Sequence, residues 1–60
     1  MTQKYETLVN TVADIRADVE KAMKGNKAAT SRVRKVMQDI KNLAQEIRKE
    51  MLELRDSAGQ

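Results

Sequence analysis

Seven cations fall between residues 21 and 41: Lys21, Lys24, Lys27, Arg32, Arg34, Lys35 and Lys41. That stretch holds one acid, Asp39, so its local charge is seven minus one, or +6. The rest of the chain carries five basic and eight acidic residues, or −3. Lysine and arginine in such density pair with phosphates and displace the counterions that surround a polyanion. Asn26, Thr30 and Ser31 lie among them and supply neutral donors of the kind that position a protein on a phosphate backbone. Lys27, Arg34 and Lys41 recur every seven residues, which puts them on one flank of a helix.

Other chemistry has little to work with. The chain contains no His and no Cys, so it has no imidazole base, no thiol nucleophile and no soft metal ligand. Asp14 with Asp18, and Glu46 with Glu50, are carboxylate pairs one helical turn apart. Di-metal bundles built from such pairs add a Glu-x-x-His motif, which cannot occur here, so both pairs read as surface charge. Glu46, Lys49, Glu50 and Glu53 are mixed in sign and read as plain solubilising surface. Ser31 and Ser57 have no evident activating partner, and Gly25 stands alone rather than in a phosphate-cradling loop. The expectation is a chain that is not an enzyme and has no cofactor, metal or small-molecule substrate. Tyr5 is the single aromatic residue. Stacking platforms for unpaired bases are therefore missing, which favours contact with duplex phosphates over base readout.

The elements that carry these residues follow from apolar spacing. Tyr5, Leu8, Val12, Ile15, Val19 and Ala22 recur at alternating intervals of three and four, as do Ala29, Val33, Val36, Ile40, Leu43 and Ile47. Each series is a helical stripe. Val9 and Met23 widen the first, and Met37, Ala44 and Met51 widen the second. Glu50 occupies what the repeat would make an apolar place before Leu54. Thr2 is expected to cap the first helix through its hydroxyl, and Gly59 to stop the second. Between the stripes, Gly25 suits a left-handed helix end and Asn26 can cap the helix that follows. One helix running straight through Gly25 would cost only about 1 kcal/mol, but a stop followed at once by a start favours a turn. The fold expected is all-α: an antiparallel hairpin forming one domain over residues 1–60. Its first helix covers about 3–24, its turn about 25–26 and its second helix about 27–57, so the second overhangs the first.

A chain of 60 residues rarely builds a sufficient core alone, and disulfides and metal ligands are absent from this one. Association with a second copy is the remaining support. The expected oligomerisation core is Leu8, Val12, Ile15, Val19, Val33, Val36, Met37, Ile40, Leu43, Ile47, Met51 and Leu54, arranged as a dimeric four-helix bundle. The N-terminus lacks the apolar stretch of a secretory signal, and no segment is apolar enough to span a membrane. A cytoplasmic protein is the default.

Lys24-Gly25-Asn26-Lys27-Ala28-Ala29, followed by Arg32-Val33-Arg34-Lys35, resembles the core of the bacterial linker-histone-like family known from the chlamydial histone-like proteins. Met37-Gln38-Asp39-Ile40-Lys41 and Leu43-Ala44-Gln45-Glu46-Ile47-Arg48 look like the family's short members, which lack the Lys- and Ala-rich basic tail of the longer ones. The resemblance implies a nucleoid-associated protein that binds and compacts double-stranded DNA with little sequence preference. It also implies that Lys24, Asn26, Lys27, Arg32, Arg34 and Lys35 face the DNA. With the residues read from charge and spacing, the expected interface is Lys24, Asn26, Lys27, Thr30, Ser31, Arg32, Arg34, Lys35 and Lys41. Two other readings stay open. One is an oligomerisation or protein-interaction module with weak or no DNA binding. The other is a basic amphipathic helix on an anionic membrane, which is disfavoured because the apolar stripe is needed for packing.

Overall fold

The computed structural model describes residues 2–58. Helix α1 spans Gln3–Met23 and helix α2 spans Lys27–Ala58, and the described residues contain no strand. The two helices pack against each other as an antiparallel hairpin. Good helix formers and the lack of proline leave both uninterrupted. Gly59, expected to end α2, lies outside the described residues; α2 is helical through Ala58.

Thr2 corrects one expectation. It sits at the N-cap of α1, but its hydroxyl makes no capping hydrogen bond. Its backbone has φ −88° and ψ 0°, whereas a capping side chain reaches the first-turn N–H groups from an extended conformation. Only its carbonyl takes part, accepting from the Glu6 N–H at 2.9 Å. The next two threonines also serve the helix. Thr7 and Thr11 donate their hydroxyls to the carbonyls of Gln3 and Thr7, at 2.9 and 2.7 Å.

The seam between the helices is shallow. Ile15 (6% exposed) and Ala29 (fully buried) are the only buried apolar residues among those described. Leu8, Val19 and Ala22 of α1, and Val33, Val36, Ile40, Leu43 and Ile47 of α2, are half-buried. Ala29 lies beside the turn, in the first turn of α2.

Each residue turns a helix by 100°, so neighbours one before and one after a stripe position fall on opposite flanks of the seam. The flank that follows the stripe carries exposed apolar side chains of the hairpin. Val12 and Met37 share one groove there with Ala13, Ile15, Arg16 and Val19. Tyr5, Val9, Val12, Met37 and Met51 are all exposed on this side. The flank that precedes the stripe is polar and holds the ion pairs between the helices.

Glu50 finds its explanation at the open end. Its carboxylate stands 3.7 Å from the Lys4 ammonium, and Glu46 lies 3.9 Å from the same group. The acid in the apolar repeat thus ties the start of α1 to α2. Beyond that tie α2 runs on alone, with Met51, Leu52 and Leu54 exposed. The hairpin is a rod of 52 × 15 × 12 Å.

Candidate nucleic-acid interface

The basic end is shaped by two adjacent residues. The Gly25 N–H donates to the Ala22 carbonyl at 3.0 Å, and the Asn26 N–H to the Lys21 carbonyl at 3.1 Å. This pair of bonds is a Schellman closure, which requires a left-handed residue just past the helix. Gly25 supplies it with φ +97°. Asn26 then starts α2, its Oδ1 accepting from the Ala29 N–H at 3.0 Å. One residue therefore closes α1 through its backbone and opens α2 through its side chain. The amide –NH₂ of Asn26 is left over as a donor.

Around this turn Lys21, Lys24, Lys27, Arg34, Lys35 and Lys41 are all exposed. Among the described residues none of them has a carboxylate within 4 Å. Two acids near them in sequence stay apart. Glu20 binds Arg16 at 3.2 Å rather than Lys24, and Asp39 forms no salt bridge with Lys35. Among the neutral donors, Ser31 is exposed. Thr30 already spends its hydroxyl proton on the Asn26 carbonyl at 3.0 Å, which leaves its oxygen as an acceptor.

Arg32 stands apart from the other cations. Its Nε and Nη2 donate to the two carboxylate oxygens of Asp18 across the seam, at 3.1 and 2.9 Å. This fork fixes the guanidinium on the polar flank. The hydrogen bond from Arg32 holds the Asp18 carboxyl below its ordinary value of 3.8; partial desolvation opposes the shift, and the charges of Arg32 and Lys21 add to it. The same pair raises the Arg32 pKa. With the stretch extended to Asp18, the turn end carries seven cations against three acids, Asp18, Glu20 and Asp39. Asp18 was not foreseen as a partner because it lies fourteen residues away, on the other side of the turn. One signal was available: Asp18 precedes Val19, and Arg32 precedes Val33, so both occupy the same flank of the seam.

Both carboxylate pairs contribute to ties between the helices. Asp18 is engaged by Arg32, and Glu46 and Glu50 converge on Lys4. No cluster of potential metal ligands occurs among the described residues, and no described helix is long and apolar enough to cross a membrane.

The geometry defines a class: a two-helix hairpin with one apolar flank and a basic, uncompensated turn. The chain belongs to the histone H1-like protein Hc1 family, which matches residues 2–57. This is a histone-like, DNA-binding family of structural proteins rather than enzymes. The resemblance, densest between Lys24 and Arg48, was expected to cover nearly the whole chain, and the family match does so. Comparison with curated proteins and with solved structures returned no match.

Proposed function

We propose that the chain is a nucleoid protein that contacts duplex phosphates without sequence preference and compacts DNA as a dimer, by bending or bridging it. One observation carries this reading. Six exposed cations without carboxylate partners gather around a turn. Surface cations with no use are ordinarily interspersed with acids, because clustering raises self-repulsion. A polyanion relieves that repulsion and gains counterion release as well.

The contact residues proposed are Lys24, Asn26, Lys27, Ser31, Arg34, Lys35 and Lys41, with Thr30 as a minor member. Arg32 contributes its charge while its guanidinium fork is held by Asp18. Self-association is supported by the apolar flank. Val9, Val12, Met37 and Met51 are about half exposed, and a second hairpin laid on that flank would cover them.

The test is duplex binding across a salt series, with wild type beside Lys27→Glu/Arg34→Glu. Phosphate contacts make log K fall with log salt by about 0.9 for each contact. The double reversal is expected to cut affinity at least 50-fold near 0.1 M salt, on the order of two lost contacts. Unchanged affinity would remove the turn end from the interface. No binding by wild type at low salt would leave the oligomerisation module as the function.

A further inference from the structure

The cations at the turn begin a longer column. Lys27, Arg34, Lys41, Arg48 and Arg55 recur every seven residues along α2, and all five are exposed. At 1.5 Å per residue the rungs stand about 10.5 Å apart and the column is about 42 Å long. A seven-residue repeat drifts about 20° per heptad on a straight helix. The seam with α1 follows the same repeat, so the ladder keeps to one side of it, next to Met37 and Met51.

What separates these five from the other cations is the placement of acids. No Asp or Glu stands three or four residues before or after any of them. Thr30, Ser31, Gln38 and Gln45 fill the polar places instead. Every other cation either has an acid at one of those spacings in the sequence or is bonded to one. Lys49 lies between Glu46 and Glu53, Lys35 precedes Asp39 by four, and Lys24 follows Glu20 by four. Arg16 is bonded to Glu20, while Lys4 and Arg32 are bonded across the seam. Lys21 follows Asp18 by three. The acids of α2 thus fall in three heptad columns, that of Asp39, Glu46 and Glu53, that of Glu50 and that of Asp56, none of which is this column or either one beside it.

We infer that the ladder, and not the turn alone, is the face laid against DNA, with α2 lying lengthwise on the duplex. The inference rests on the DNA-binding reading above and specifies its surface. Rungs about one Debye length apart repel one another weakly in physiological salt, and a row of phosphates removes that repulsion. A length of about 42 Å exceeds the roughly 34 Å of one duplex turn, so a helix so placed meets the backbone of both strands. Gln38 and Gln45 stand between rungs as neutral donors to the same phosphates. A helix docked by its turn end alone would leave Arg48 and Arg55 more than 30 Å from Lys27, by the helical rise.

The deciding comparison uses neighbours in the chain. Arg48→Gln and Lys49→Gln change the net charge equally, but only Arg48 is a rung. Duplex affinity and its salt slope are measured for wild type, each single variant, Arg48→Gln/Arg55→Gln and Arg48→Lys/Arg55→Lys. Circular dichroism and sedimentation accompany each. Arg48→Gln should weaken binding roughly 8-fold near 0.1 M salt and lower the slope by about 0.9, and the double Gln variant by about 1.8. Lys49→Gln should leave the slope unchanged, and the double Lys variant should recover it. Equal, small effects of Arg48→Gln and Lys49→Gln would overturn the ladder. So would a double Gln variant that dissociates the oligomer while binding DNA as wild type does, since the column would then face another copy of the chain. If wild type binds no duplex, the DNA reading itself fails; if it binds and only Lys27→Glu/Arg34→Glu abolishes binding, that reading stands and the ladder falls.

Discussion

Gly25 and Asn26 carry more structural duty than any other pair. The left-handed backbone at Gly25 has open space where a Cβ would go, with no atom within 4 Å. The cost of Gly25→Ala is therefore conformational rather than steric, about 1–2 kcal/mol for an L-residue held there. Asn26→Ala removes the acceptor for the Ala29 N–H and should cost about 1 kcal/mol. Asn26→Asp keeps that acceptor and should retain most of the stability. Thermal melts at one fixed protein concentration check all three, and an Asn26→Ala variant as stable as wild type would show that the cap is dispensable. Both roles were legible in the sequence, because they depend on residue type within four positions of chain. The role of Thr2 was not. A threonine before a helix has the right chemistry for capping, but its own ψ decides whether the hydroxyl can reach, and residue type does not fix ψ.

At the scale of the helices, the sequence showed the seam and the overhang but not the ties across them. Heptad spacing is local, so each stripe could be read from its own helix. Which Asp meets which Arg depends on how far one helix slides along the other, and the turn sets that. Asp18–Arg32 and Lys4–Glu46/Glu50 are therefore visible only in the folded chain, and they stand near the two ends of the paired region. The first tie has a pH signature. Asp18 has a lowered pKa in the fold, so its contribution is complete above the ordinary carboxylate value of 3.8 and fades as pH falls through the folded value. Asp18→Asn has no such contribution to lose. Melting temperature should fall more steeply for wild type than for Asp18→Asn as pH drops from 4 to 2, and the two should run parallel from pH 5 to 8. The difference should be small, since the Arg32 side chain is 51% exposed and water screens the pair. Parallel curves at all pH values would mean that the fork seen here contributes nothing in solution.

The molecule as a whole is a rod 52 Å long with only Ile15 and Ala29 buried among its described apolar residues. Conformational entropy opposes the ordering of each residue by about 1–2 kcal/mol. Half-buried stripes on two helices offset little of that, whereas the apolar flank adds surface that only a second molecule can cover. The ladder and that flank are adjacent on α2, so burying the flank in a dimer would leave the cations at its rim, still open to phosphate. Folding and association should then be one process, and stability should depend on protein concentration. For a dimer that unfolds to monomers, each tenfold rise in concentration adds about 1.4 kcal/mol to apparent stability, or several degrees in Tm for a chain of this size. Melts from 5 to 500 μM should show that rise. Val12→Asp/Met37→Asp, which places two carboxylates in the exposed groove, should lower helicity at micromolar concentration and yield monomers by sedimentation. A Tm constant over that range, with a helical monomer in the centrifuge, would mean that the hairpin stands alone and that the apolar flank serves a different partner.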